Sequence, residues 1–597
     1  MEISTGTPRF TSYTLLTPRS RIPYCIRLRS LLHGSMRSSA PRLQHPLRCI
    51  SRKAAASDGD NRTNVVDRRD VLLGLGAGAA AAIGAPRRAL AAPIKAPDLR
   101  DCHAPEDLPE AITGATNCCP TYDGTGIVDF ELPVSAGSSP VTRVRPAAQL
   151  VDAEYVAKYE KAIRLMKDLP ADDPRSFEQQ WRVHCAYCDG AYDQAGFPDL
   201  EIQIHNCWLF FPWHRFYLYF HERILGKLLG DDSFALPFWN WDAPAGMALP
   251  SIYNVSSSSP LYDPKRNPAH QPPFLLGLDY SGTDDDASGI SRDNQIDENL
   301  RIMYRQMVSN AKKPQLFLGQ PYRAGDDADP GAGSIENVPH GIVHFWTGDP
   351  REANQEDMGN FYSAARDPVF FAHHANIDRL WHVWRSQIHN NNNGGFDFAD
   401  PEWLDAAFLF YDEEARLVRV RVRDCLDMAS LGYAYQEVPL PWLDARPTKP
   451  ASPGTPARAL DALPATLDKT VRVAVARPRA SRSAKEKEEQ EEVVVVEGIQ
   501  VSDCSRFVKF DVLVNVPDGD AESGMGAAYC AGSVALTPHA EKRKEKGAMM
   551  KTVARFGVCD LLENIGADGD EMVVVSLVPR CGGELVTIGG VSIGYAK

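Results

Sequence analysis

The histidines of this chain fall into groups. His184, His205 and His214 lie in one stretch, and His340, His344, His373 and His374 in another. Neutral imidazole suits copper, zinc, iron and nickel. Neither group has the Glu-x-x-His pairs that build a carboxylate-rich di-iron site in a helical bundle. The H-x-x-x-H spacing of His340 and His344 lacks the glutamate of a zinc-protease H-E-x-x-H, which argues against a protease or other zinc hydrolase. Two all-histidine groups therefore point to a pair of copper ions. His340 and His344 are four apart, share one helical face and can chelate one ion. Their third partner must come from the His373–His374 pair, of which only one can face the same ion. His221, two helical turns after His214, reads as a packed or surface histidine.

Helices have to position these side chains. Apolar periodicity predicts them over Val151–Lys167, Phe177–Ala186 and Pro212–Leu229, the last with proline at its start and Gly230 at its stop. His184 then lies on the second helix, His214 near the start of the third, and His205 on the loop between them, where a ligand needs restraint to hold its geometry. Residues 243–335 are rich in Pro, Gly, Ser and Asp and read as mostly loop, with a helix near Gln295–Met307. A further helix, Asp367–Gln387, carries His373 and His374, and Asn390–Gly395 reads as a turn. Beyond a Pro- and Ala-rich linker, Arg446–Asp461, the pattern becomes β. Short alternating runs at Thr470–Val475, Val493–Ile499, Phe507–Val516, Gly532–Leu536, Met572–Val578 and Leu585–Ile593 suggest an antiparallel sandwich or barrel. The charge run Arg477–Glu492 reads as a solvated loop.

At 597 residues, with 44% hydrophobic and 24% charged residues, the chain is long enough for two or three globular units. Its net charge of −14 is unevenly spread. Residues 1–91 carry +10 and residues 92–597 carry −24. A basic, acid-poor leader on an acidic body is a targeting signature and argues against a nucleic-acid partner. Residues 1–66 read as a plastid transit peptide. Within residues 67–91, Arg68-Arg69, the apolar run Val71–Gly84 and Ala89-Leu90-Ala91 have the order of a twin-arginine transfer signal ending in an A-x-A site. The expected destination is the thylakoid lumen, with a mature chain starting near Ala92 and no stretch long enough to span a membrane. Cys102, Cys118, Cys119, Cys185 and Cys188 cluster where the body begins, as a disulfide staple in an oxidising compartment would require. Cys118 and Cys119, being adjacent, each need a distant partner. The remaining body cysteines, from Cys207 to Cys581, read as buried thiols.

The segments WRVHCAYCDGAY (181–192) and IHNCWLFFPWHRFYLYFHERIL (204–225) resemble the first copper-binding region of the plant polyphenol oxidases. HGIVHFW (340–346) and NFYSAARDPVFFAHHANIDRLW (360–381) resemble the second. DPEWLDAAFLFYDEE (400–414) resembles the short domain that follows, and VKFDVLVNV (508–516) the opening of the family's C-terminal domain. With the leader, the resemblance covers essentially the whole chain. It implies a mainly α catalytic domain at 92–445, in which a four-helix bundle with long loops holds the copper pair. A linker at 446–466 and a β-rich C-terminal lid at 467–597 follow.

The resemblance also implies roles. One copper takes His184, His205 and His214; the other takes His340, His344 and His374, leaving His373 as a neighbouring non-ligand. A thioether joins Cys188 to His205, and disulfides join Cys102 to Cys119 and Cys118 to Cys185. Tyr433 and Tyr435 match the tyrosine motif that closes the catalytic domain. Phe361 stands at the gate of the second copper, and Glu336 orients a water. The implied reaction turns o-diphenols into o-quinones while O2 is reduced to water, with no organic cofactor. Gly341, directly after His340, stands where strong monophenol hydroxylases often carry asparagine, so diphenol oxidation is expected to exceed monophenol hydroxylation. The lid implies latency until an activating protease acts. The alternatives are a tyrosinase with substantial monophenolase activity, an aurone-type biosynthetic oxidase and an oxygen carrier.

Overall fold

The computed structural model describes residues 92–105, 117–133, 143–283, 290–389, 396–450, 455–518, 520, 524–539 and 549–596. The two leader segments and the Asn390–Gly395 turn lie outside them. The described residues belong to one unit, Arg87–Lys597.

The helices that carry histidines start and stop where side-chain chemistry dictates. Helix α1, Ala153–Lys167, is opened by Asp152, whose carboxylate accepts the Tyr155 N–H. Helix α2, Phe177–Cys188, is opened in the same way by Ser176, which accepts the Gln179 N–H. Helix α3, Phe210–Leu229, ends on Gly230, whose φ of +67° a side chain would resist. Almost every residue of α3 is buried, as expected for a helix with aromatic residues on all faces. Helix α4, Arg292–Tyr304, lies near the position expected in the loop-rich region. Helix α5, Gly341–Thr347, follows a wider, π-helical turn at Glu336–His340, and α6 runs Val369–Val383. Helices α2, α3, α5 and α6, with the loop that carries His205 and the turn that ends at His340, bring the seven clustered histidines together.

A buried ionic network locks two of these helices. Arg215 of α3 donates to Asp378 of α6 at 2.6 Å, and Arg145 reaches both Asp378 (3.2 Å) and Glu222 (2.8 Å). The hydroxyls of Tyr433 and Tyr435 donate to the same Asp378 oxygen at 2.7 and 2.6 Å. His214 precedes Arg215, and His374 lies one turn before Asp378, so the network fixes one histidine from each group. Removing one partner of such a buried pair costs about 3–5 kcal/mol. Disulfides join Cys102 to Cys119 and Cys118 to Cys185, fastening the N-terminal arm to α2.

The C-terminal region is an antiparallel sandwich. Its strands are β1 Val471–Ala476, β2 Glu491–Val501, β3 Val508–Val514, β4 Cys530–Leu536, β5 Met550–Gly557, β6 Met572–Cys581 and β7 Val586–Ala596. One sheet has the order β4-β3-β6-β1. The other has β5-β2-β7 and then a short edge strand, Ala465–Thr466. Inward-facing valines from both sheets share one core. Strand β5 and the helix Cys559–Ile565 were not expected, because MKTVARFG interrupts its alternation with charges. The charge run is also not one solvated loop. Residues Ala484–Glu489 form a helix, and Arg477 is buried against the buried Glu492 at 2.7 Å.

The sandwich docks on the helical part through specific contacts. Phe507 stacks on Phe345 with centroids 3.7 Å apart. Lys509 pairs with Asp279 at 2.5 Å, and Lys312 with Asp560 at 2.6 Å. Among the described residues no helix is long and apolar enough to cross a membrane.

Candidate metal centre

Two groups of buried histidines converge: His184, His205 and His214, and His340, His344, His373 and His374. Within each group the ligand atoms lie within 4.8 Å of one another. In four of these rings the Nδ1 atom meets a main-chain carbonyl. His184 faces Phe361 O at 3.0 Å, and His214 faces Phe210 O at 2.8 Å. His340 faces Glu336 O at 3.1 Å, and His344 faces Met358 O at 2.9 Å. A carbonyl only accepts, so Nδ1 carries the proton and Nε2 presents its lone pair. The Nε2 atoms of His184, His214 and His340 are buried and have no hydrogen-bond partner. Those of His344 and His374 lie 3.1 Å apart.

Burial keeps these rings neutral, holding His344 at about 4 and His214 at about 3, with the others also well below the usual range. Buried, unpartnered, neutral nitrogens pointing inward from both groups fit a pair of metal ions that favour nitrogen ligands.

His373 differs from His374. Trp241 donates its Nε1–H to His373 Nδ1 at 3.1 Å, so the neutral ring carries its proton on Nε2, beside the main-chain carbonyl of His340. His374 stacks on His214 of the other group, 4.2 Å apart and nearly parallel, and Phe370 packs on it at 4.1 Å. His221 is a packing residue, with Phe371 3.6 Å away and parallel.

His205 has no carbonyl tether; both its ring nitrogens lack a partner. Two neighbours restrain it. Gln203 accepts the His205 N–H at 3.0 Å and donates to the Cys188 carbonyl at 2.8 Å, drawing the two residues together. Phe361 stacks on the imidazole at 4.0 Å, inclined by 15°. Glu336 is buried, and burial raises its pKa well above the usual carboxylate range. Its Oε1 accepts the Asn206 N–H at 2.5 Å, and Asn206 also donates to Asp329 at 2.9 Å.

The sandwich reaches this centre through residues 533–539. Asn337 donates to Ser533 O and accepts from Ala535 N–H, both at 2.8 Å. Thr537 lies over Gly341. Pro538 O accepts the Phe361 N–H at 3.1 Å, and the buried His539 ring sits 5.7 Å from Phe361. The histidine pattern gave no sign of Gln203, Trp241, Asn337, Thr537 or His539. Gln203, on a loop, and Asn337, in the turn before α5, were invisible because a single amide has no periodic signature.

Three family models match the chain in succession. Residues 174–387 match the common central domain of tyrosinase, 397–448 the polyphenol oxidase middle domain, and 463–595 the chloroplastic polyphenol oxidase C-terminal domain. A chloroplastic polyphenol oxidase of Malus domestica is 51% identical over 93% of this chain and 94% of its own length. The chain belongs to the plant polyphenol oxidases of the tyrosinase family. It is thus an oxidoreductase, and the family includes latent forms. The structure of latent apple tyrosinase is 52% identical, with a TM-score of 0.73, and covers 79% of this chain and 100% of its own. Family members also include aureusidin synthase of Antirrhinum majus, 49% identical over 84% of this chain and 88% of its own length. A latent aurone synthase structure, 40% identical, covers 85% of this chain and 99% of its own with a TM-score of 0.78.

Proposed function

We propose that this protein oxidises o-diphenols to o-quinones with O2, using two copper ions. One would be held by His184, His205 and His214, the other by His340, His344 and His374. The observation that carries this reading is the inward convergence of neutral Nε2 atoms from two all-imidazole groups, four of them set by carbonyl-bound Nδ1 atoms. When bound, copper supplies the redox chemistry, carrying electrons from the phenol to O2.

The chain's own residues do the rest. Phe210, Phe361 and Phe370 pack against the imidazoles, exclude water and strengthen electrostatic interactions in the site. Phe361 stands as the gate, but its ring lies parallel to His205 of the first group, 4.0 Å away, and farther from His340 and His344 of the second, at 6.4 and 6.1 Å, than the expected place over the second copper would require. Glu336, whose neutral form burial favours, has Oε1 occupied by the Asn206 N–H and Oε2 unpartnered, leaving Oε2 to orient a water. Gly341 offers no side chain to hold a water that could take a phenolic proton, which favours diphenols over monophenols. Cys188 is proposed to form the thioether that supplies His205 with its missing tether.

Residues 92–445 form the catalytic unit in this reading, 446–466 the linker and 467–597 a lid whose residues 533–539 cover the gate. Activity is latent until a protease cuts the linker. The leader delivers the protein to the thylakoid lumen. A specialised biosynthetic oxidase is the second reading, favoured by the likeness to aureusidin synthase; profiling a panel of substrates separates the two. The test is oxygen uptake with 4-methylcatechol against tyramine and p-cresol, before and after limited proteolysis, together with copper analysis. Faster turnover of the diphenol and activation by cutting are expected. Equal or faster initial rates on the monophenols would sink the diphenol preference, and an unchanged rate after cutting and dilution would sink latency.

A further inference from the structure

One short segment touches both histidine groups. Met358 O holds His344 of the second group, Phe361 O holds His184 of the first, and the Phe361 ring covers His205. Three of the six proposed ligands therefore take their orientation from residues 358–361. Partners of this kind set ligand tautomer and direction, and losing one weakens metal binding about 10- to 100-fold.

The segment is not part of a sheet and follows two residues in left-handed conformation, Asn354 and Gln355, both at φ +59°. Its internal hydrogen bonds are short-range turn contacts, among them Gly359 N–H to Gln355 O at 3.1 Å, Asn360 N–H to Asp357 O at 3.4 Å and Ser363 Oγ to Asp357 O at 2.9 Å. Its anchor comes from far away in sequence. Lys265 Nζ lies 2.5 Å from Glu356 Oε2 and 3.5 Å from Asp357 Oδ1. Glu356 also accepts the Tyr362 hydroxyl. Lys265 is itself pinned: its N–H donates to Asp263 at 2.8 Å, and its carbonyl accepts Asp349 N–H at 3.2 Å. The next residue, Arg266, grips Asp367 through two hydrogen bonds of 2.7 and 2.6 Å, and Asp367 accepts the Val369 N–H where α6 begins. The dipeptide Lys265-Arg266 thus reaches both the strap and the start of the helix that carries His374.

We propose that Lys265 is a positioning residue for the metal centre, acting through its ion pairs with Glu356 and Asp357 to hold the Met358 and Phe361 carbonyls in register with one histidine of each group. The proposal rests on the histidines being metal ligands. Its test compares full-length wild-type protein with Lys265→Met, Lys265→Arg and Glu356→Gln, each loaded with copper. Copper per chain is measured, then the rate of copper loss to excess EDTA, alongside the thermal unfolding midpoint. Lys265→Met and Glu356→Gln are expected to lose copper about tenfold or more faster at an unchanged midpoint, and Lys265→Arg to restore retention. Glu356→Gln keeps an acceptor for Tyr362 and decides the matter should Lys265→Met not fold. Wild-type rates of copper loss in a folded Lys265→Met or Glu356→Gln protein would overturn the proposal. Failure of wild-type protein to take up two coppers would instead overturn the metal reading itself.

Discussion

Thr537 of the sandwich lies 3.1 Å from the point where a β-carbon on Gly341 would stand, with Ala535 O at 3.5 Å. In the proposed reading Gly341 therefore faces two demands at once: what the open site can bind, and how closely the lid can seat.

Its substitution separates these. Gly341→Ala overpacks the contact, at a cost of about 1 kcal/mol or more, which shifts lid opening roughly fivefold or more. The uncut protein is expected to show a correspondingly higher diphenol rate, and the cut and diluted protein nearly none of that gain. Oxygen uptake on both forms checks this. An uncut rate equal to wild type would show that Thr537 gives way freely.

The two adjacent histidines of α6 are expected to behave differently. His374→Ala should retain about half the copper of wild type, while His373→Ala should keep it all, because Trp241 occupies the His373 Nδ1 lone pair. Metal analysis of the purified variants is the measurement. Equal copper loss in both would reverse the assignment.

Cys188 and His205 are joined through Gln203, and His205 is the ring most in need of a tether. The proposed thioether would form from the Cys188 S–H and an imidazole C–H, with O2 taking up the two protons and two electrons as H2O2. Peptide mass spectrometry should find the two peptides cross-linked and lighter by two hydrogens than their sum. Cys188→Ala is expected to bind copper more weakly and to lose it faster on dialysis.

Asp263 is buried against Asp357 and Asp367, with Lys265 and Arg266 beside it, and burial pushes its carboxyl from 3.8 up to about 8. The folded chain then holds a proton that the unfolded chain has released over the window from about 4 to about 8. Unfolding releases protons there, so stability falls as pH rises through the window and levels off above it, with a slope of up to about 1.4 kcal/mol per pH unit. Asp263→Asn keeps an acceptor for the Lys265 N–H and removes the titration. Denaturant melts at pH 5 and pH 8 should show a smaller loss of stability for the variant than for wild type; equal losses would mean that Asp263 ionises normally.

Much of this was legible in the residues. The apolar periods located α1, α2, α3 and α6 to within a few residues, and the alternating runs located most sandwich strands. The histidine groups stood out because metal binding concentrates a rare residue type. What stayed hidden is non-local or carried by the backbone. The carbonyls of Met358 and Phe361 have no side-chain signature. Lys265 looks like any loop lysine until the fold brings Glu356 to it. Arg477 and Glu492, read as solvated, are buried because each satisfies the other. Strand β5 was masked by Lys551 and Arg555, which lie outside the core that its neighbours fill.

In the proposed reading, the described residues of the linker near 447–457 tie to the sandwich by isolated contacts. Asn564 reaches Pro447 O at 3.4 Å, and Ala457 N–H donates to Val516 O at 2.9 Å. Cutting between these points leaves the Phe345–Phe507 stack and the Lys509–Asp279 pair in place. What the cut removes is the tether, and with it an effective concentration on the order of millimolar. On the latency proposed above, an attached inhibitor would become a dissociable one governed by mass action. Nicked protein kept concentrated would remain largely inhibited, and the same sample would gain activity on dilution, so that activation follows total protein concentration as well as the extent of cleavage.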